Sequence, residues 1–108
     1  MAIVRLTSEA VEQAATLPRT IQARVRDLLE RLEEWPEVSG AKPLRGELAG
    51  HYRLRTGDYR LLFRVEQVKR VEKVEKLVKK KTVVGEQEMV EYHVIVEKLG
   101  HRSKFYEE

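Results

Sequence analysis

Apolar positions recur along this chain with two periods, and each period predicts a different element. Ala2 to Leu6 is short and rich in β-branched residues, which predicts a strand. Thr7 or Ser8 then suits a helix N-cap, with Glu9 placed in the first turn where the helix dipole favours an acid. Val11, Ala14, Ala15 and Leu17 give that helix an apolar face, and Pro18 breaks it and starts the next. Ile21, Val25, Leu28, Leu29, Leu32 and Trp35 fall on one face of a second helix, which Pro36 ends. Gly40, Pro43, Gly46 and Gly50 mark the segment 38–50 as a loop. The period then changes to two. Tyr52, Leu54 and Thr56 alternate with Arg53 and Arg55, and Tyr59, Leu61, Phe63 and Val65 alternate with Arg60, Leu62 and Arg64. Thr56-Gly57-Asp58 between the two runs fits a hairpin turn.

Beyond Val65 the pattern changes again. Val65, Val68, Val71, Val74 and Leu77 recur every third residue amid lysines and glutamates, a helical spacing with charges suited to a solvated face. Valine is a poor helix former, so a long protruding β-hairpin competes with that reading. Tyr92, Val94 and Val96, alternating with His93, Ile95 and Glu97, restore strand character. The expected order is β-α-α-β-β-insert-β, with the insert at 67–90. Helices grouped before an antiparallel meander predict an α+β domain. In it an N-terminal strand and an antiparallel two-helix hairpin pack on a mainly antiparallel four-stranded sheet. With 108 residues the chain has room for one modest core and therefore one domain, 1–108.

Charge sharpens this picture by its distribution. The formal net charge is only +3, yet Lys42, Arg45, Arg53, Arg55, Arg60 and Arg64 face only Glu47 and Asp58, a local excess of +4. Strand alternation puts Arg53, Arg55, Arg60 and Arg64 on the face opposite Tyr52, Leu54, Tyr59, Leu61 and Phe63. Cations gathered this way point to a polyanion, although a solvated strand face has the same composition. There is no cysteine, and three scattered histidines lack ligand spacing, so neither metal site nor cofactor is expected. The N-terminus has no long apolar run and no segment approaches a membrane span, so a cytoplasmic protein is expected.

Three stretches then carry a resemblance. They are Lys42-Pro43-Leu44-Arg45-Gly46, the run His51-Tyr52-Arg53-Leu54-Arg55-Thr56-Gly57-Asp58-Tyr59-Arg60-Leu61-Leu62-Phe63-Arg64-Val65, and Gly100-His101-Arg102-Ser103-Lys104-Phe105-Tyr106. Together they resemble the RelE/ParE superfamily of toxins from type II toxin–antitoxin systems, over the whole chain outside the insert. The resemblance implies a cognate antitoxin as partner. For the RelE kind it also implies the ribosome and mRNA as targets, a metal-independent endoribonuclease that cuts mRNA in the A site, and inhibition of translation. The ParE kind shares the fold, inhibits gyrase and lacks the nuclease residues. A degenerate toxin fold that only binds its antitoxin is the third reading.

RelE-type cleavage is an attack by a 2′-hydroxyl on the adjacent phosphate. By resemblance, Arg60 and Arg102 are the phosphate stabilisers, and His101 or Tyr106 moves protons; Tyr106 also suits base stacking. Arg53 and Arg55 stand where well-studied RelE members carry lysine. Arginine effectively never gives up its proton, so these two are expected to bind RNA, with Arg64, Lys42 and Arg45 extending the basic surface. Among the histidines, His101 is expected to act before His51 because it neighbours Arg102. The run Lys79-Lys80-Lys81 offers a docking arm for ribosome or antitoxin, and a solvated excursion is the plainer reading of the insert.

Overall fold

Thr7 caps the first helix as its side chain predicts. Its hydroxyl accepts the Ala10 N–H at 3.1 Å, and helix α1 runs Ser8–Ala15. Helix α2 spans Arg19–Leu32 behind Pro18 and buries Val25, Leu28 and Leu32. It stops a turn earlier than its apolar stripe, so Trp35 enters the core from the loop that follows. The structure is a computed structural model, and it describes residues 1–105.

Five strands form one sheet in the order β1-β5-β4-β3-β2. They are β1 at Ile3–Leu6, β2 at Lys42–Pro43, β3 at His51–Thr56, β4 at Tyr59–Val78 and β5 at Lys81–His101. β1 pairs with β5 in parallel, and every other pair is antiparallel. The expected α+β architecture is what the chain adopts. A fifth strand exists because the loop after α2 contributes two residues, with Lys42 opposite Arg53 and Pro43 opposite Tyr52. A short helix, α3 at Arg102–Phe105, follows β5.

Both helices lie on one face. Ala10, Val25, Leu28 and Leu32 from the helices meet Leu54, Leu61, Phe63, Val94, Val96 and Leu99 from the sheet. Phe63 is 0% exposed. It stacks on Tyr52 at 5.4 Å between ring centres and meets the edge of Trp35 at 5.5 Å. Tyr52 and Trp35 are both partly buried and packed against this core.

The helical reading of the insert is overturned. Strands β4 and β5 continue, paired residue for residue from Glu66↔His93 to Val78↔Lys81. The two-residue turn is Lys79-Lys80, with φ of 50° and 62°. Positive φ at both central positions is what a type I′ hairpin turn requires. Lysine there costs roughly 1–2 kcal/mol per residue relative to ordinary backbone. The physical reason for the strand is that a period of three, laid on an alternating backbone, puts valines on both faces in turn. Val68 and Val74 point one way, Val71 and Leu77 the other. No single apolar stripe results, and β-branched side chains decide the conformation. The arm stands free of the body and stretches the molecule to 64 × 32 × 25 Å.

One irregularity interrupts the ladder within the body. Leu62 pairs with Lys98, but Phe63 pairs with Val96, so Glu97 is an extra residue in β5. This is a β-bulge, and it lets Val94, Val96 and Leu99 all reach the core.

Candidate functional site

Residues directly opposite one another in a sheet share a face. His51 pairs with Arg64, Arg53 with Leu62, and Arg55 with Arg60. All six therefore lie on the face away from the helices, and Lys42, opposite Arg53, extends it to the sheet edge. The four strand arginines are thus on one face, as alternation predicts. Arg45 is exposed and lies before the 3-10 turn at Gly46–Leu48, outside the strands.

The cations on this face are held in different ways. Arg60 folds back on the hairpin, donating to the carbonyls of Gly57 at 3.0 Å and Tyr59 at 3.2 Å. Its Nε is buried without a hydrogen-bond partner among the described residues. Arg64 donates from Nε to Glu97 Oε1 at 2.7 Å and forms an ion pair with Glu66. Hydrogen bonding to Glu66 and then Glu97 raises the Arg64 pKa, and Arg64 in turn holds the Glu66 carboxyl below the usual carboxylate range. Arg53 is half-buried and engaged within the fold. Arg55 is exposed, with no hydrogen bond or ion pair among the described residues.

Two histidines lie on this face, His93 opposite Glu66 and His51 opposite Arg64. His51, which sequence alone ranks second, is the one in the strand that carries Arg53 and Arg55. Its Nε2 lies 2.9 Å from Glu97 Oε2. A carboxylate only accepts, so Nε2 carries the hydrogen and the neutral ring keeps Nδ1 as an acceptor. That Nδ1 is buried and has no hydrogen-bond partner among the described residues. Glu97 therefore aims two groups at once, Arg64 and His51. It can do so because the bulge turns its side chain to the open face. The alternation of His51 with Tyr52 in β3 was the signal that could have placed this histidine beside the arginines.

His101 is elsewhere. It pairs with Tyr59, on the helix side of the sheet, and the two rings meet edge-to-face at 5.3 Å. Its Nδ1 accepts the Ser103 N–H at 3.1 Å and lies 2.8 Å from Ser103 Oγ. With Gln13, Leu17, Tyr59 and Phe105 it lines a cleft of about 470 Å³. Arg102 is exposed at the sheet's end, where its N–H donates to the Asp58 carbonyl at 2.7 Å and its Nε is 3.6 Å from Asp58 Oδ1. Tyr106 lies outside the described residues. The expected grouping of Arg60 with His101 is therefore not formed, because the two are separated by the sheet itself, whereas Arg60 and Arg102 both bond the turn at Gly57-Asp58. Among the described residues no cluster of His, Asp and Glu is fit to hold a metal ion, and no helix is long and apolar enough to cross a membrane.

Comparison with known proteins bears on this arrangement. The family model for the ParE toxin of the type II toxin–antitoxin system parDE matches residues 4–81. The chain belongs to that family. Two solved structures share the fold of this RelE/ParE toxin. The toxin–antitoxin complex RelBE2 from Mycobacterium tuberculosis matches with a TM-score of 0.61 and 29% identity, over 94% of this chain and 98% of the other. The isolated RelE toxin of E. coli matches with a TM-score of 0.59 and 17% identity, over 94% of this chain and 84% of the other. Among curated protein sequences none matches. The chain is thus a toxin of a toxin–antitoxin module, and an antitoxin is its expected counterpart.

Proposed function

We propose that this toxin is a ribosome-dependent endoribonuclease that cuts mRNA in the A site and works through its open sheet face. The observation that carries the reading is the placement of Arg53, Arg55 and Arg60 beside a titratable histidine on a face that neither helix covers. In the reaction the 2′-oxygen bonds to the adjacent phosphorus and the P–O5′ bond breaks, leaving a 2′,3′-cyclic phosphate and a 5′-hydroxyl. Guanidinium forks from neighbouring strands suit the charge that builds on the phosphate oxygens. His51 Nδ1, with Nε2–H tied to Glu97, is the acceptor for the 2′-hydroxyl proton. Docked RNA must displace the groups that bury that nitrogen. A second protonated group returns a proton to the 5′-oxygen. Arg102 stabilises phosphate from the sheet's end and Tyr106 stacks on a base. An antitoxin segment bearing acids would cover the same face and silence it.

The test is primer-extension mapping of cuts in ribosome-bound mRNA. Arg60→Ala and His51→Asn should each cut about 10²–10³-fold more slowly, as loss of one preorganised charged or proton-moving group does. Tyr106→Phe should slow cutting less, and His101→Asn should stay near wild type. Wild-type cutting by both Arg60→Ala and His51→Asn would remove the assignment.

A second reading rests on a different observation. The matching family model is of the ParE kind, and Arg60 and Arg64 are already engaged inside the fold. A gyrase-directed inhibitor needs no chemistry of its own. Inhibition of gyrase supercoiling, with uncut mRNA, would decide for it.

A further inference from the structure

The β4–β5 arm is not needed by the open sheet face, and its charge is divided sharply along its length. From Lys73 to Val84, five lysines (Lys73, Lys76, Lys79, Lys80 and Lys81) face only Glu75, a net of +4. Nearer the body, 66–72 and 85–91 hold Lys69 and Arg70 against Glu66, Glu72, Glu86, Glu88 and Glu91, a net of −3. The ion pairs follow the same division. Lys69–Glu88 and Arg70–Glu91 lie near the body. None of the five distal lysines forms an ion pair among the described residues, and all are exposed.

Their directions differ in a way that matters. Lys76 and Lys81 lie on one face of the ribbon, since Val78 pairs with Lys81 and alternates in step with Lys76. Lys73 lies on the other face, and Lys79 and Lys80 form the turn. A cationic tip with ammonium groups on both faces is matched by anions on both sides of it. Two phosphate strands flanking a groove present such an arrangement; a single acidic peptide lying on one side does not. Lysine is also the residue for backbone phosphate rather than for base edges, because it acts as a point charge. The turn adds an independent sign. Asn and Gly are the residues favoured at two positive-φ positions, yet lysine holds both. A local rule broken without a packing gain marks a functional position.

We infer that the lysine-bearing tip of the β4–β5 arm is a docking finger for the phosphate backbone of double-stranded RNA. The choice of RNA rests on the reading of this toxin as ribosome-directed. The finger holds the toxin by sequence-independent, salt-sensitive contacts while the open face takes the single-stranded substrate.

The experiment is a fluorescence-anisotropy titration of the full chain against a labelled RNA hairpin with a stem of about 20 base pairs, enough to span two successive grooves, over a series of salt concentrations. The variant carries Lys76→Ala, Lys79→Asn, Lys80→Gly and Lys81→Ala together. Asn-Gly is the preferred type I′ turn, so the arm keeps its hairpin while losing four charges. Affinity should fall by about tenfold or more, and the slope of log K against log salt should become shallower by roughly 3. An unchanged slope and affinity would overturn the proposal. Tighter binding by wild type to a DNA hairpin of the same sequence would overturn the choice of RNA. Binding to poly-glutamate but not to the hairpin would assign the tip to an acidic protein instead. The readout is binding of uncut RNA, so failure here leaves the cleavage assay's result for the open face untouched, and the reverse also holds.

Discussion

From Tyr59 to Arg64, strand β4 pairs on both edges and lies beneath the helices; from Glu66 to Val78 it has β5 on one edge, solvent on the other, and nothing on either face. The same backbone thus runs through two environments. In the first, Leu61 and Phe63 are 1% and 0% exposed; in the second, Val71 and Leu77 are 66% and 75% exposed. Cross-strand pairing is enough to define the conformation of the outer half, because register already established in the body simply continues. Stability has another source. An isolated two-stranded ribbon is marginal in water, whereas the inner half contributes most of the buried apolar area on which the fold depends.

The sharpest way to break this contrast is to truncate one apolar side chain in each half. Phe63→Ala should cost about 3–5 kcal/mol in urea unfolding, since it empties the centre of the Tyr52–Trp35 cluster. Leu77→Ala should cost less than about 0.5 kcal/mol. Comparable losses would mean that the arm carries stability after all. The open sheet face is the intermediate case. Glu97→Ala removes the acceptor of both Arg64 and His51, partly exposed groups, so about 1 kcal/mol is expected in the same assay. In wild type, ¹⁵N spectra of His51 should report the Nε2–H tautomer, and the variant should show both tautomers. Excision comes next. Replacing 69–90 by Asn-Gly between the paired Val68 and Glu91 should leave the body folded, with stability altered by about 1 kcal/mol or less and a smaller urea m-value. Loss of cooperative unfolding would show that the two halves are one unit.

The smallest effect lies at the junction, where Glu66 meets Arg64. The Glu66 pKa is lowered in the folded state, first by the hydrogen bond from Arg64. The folded chain therefore holds its proton less tightly than the unfolded chain. The pair's contribution is present above the ordinary glutamate pKa and is lost as pH falls through the depressed one. Glu66 is exposed, so the effect is heavily screened. Thermal melts of Glu66→Gln should show slightly less acid sensitivity than wild type, and identical melts at every pH would discard the pair as a contributor.

Much of the inner half was legible in the sequence because periodicity there reflects burial. The stripe from Ile21 to Leu32 became a helix, and alternation from Tyr52 to Arg64 became a hairpin with its arginines on one face. The arm was not legible in the same way. With no core to face, its valines obey no burial pattern, and a spacing of three imitates a helix. Lys42–Pro43 was too short a strand to announce itself. The site was half legible. Which residues were cationic could be read, and the alternation of His51 with Tyr52 could have joined that histidine to them. That His101 falls on the other face from Arg60 could not, because its phase depends on the bulge at Glu97. Local order along the chain said nothing of Glu97, whose role depends on an offset between two strands.

That offset has a consequence for how the end of β5 can change. A bulge acts on a strand as a frameshift acts on a message: everything downstream is read in the other phase. With Glu97 in place, Leu99 and His101 are read on the helix side and Gly100 falls opposite Arg60. Remove Glu97, and Lys98 would follow Val96 directly. The ladder would run unbroken, Leu99 and His101 would keep their places opposite Leu61 and Tyr59, and only His51 and Arg64 would lose the acid that orients them. One codon thus adds the acid to the open face without moving any other pair of the ladder.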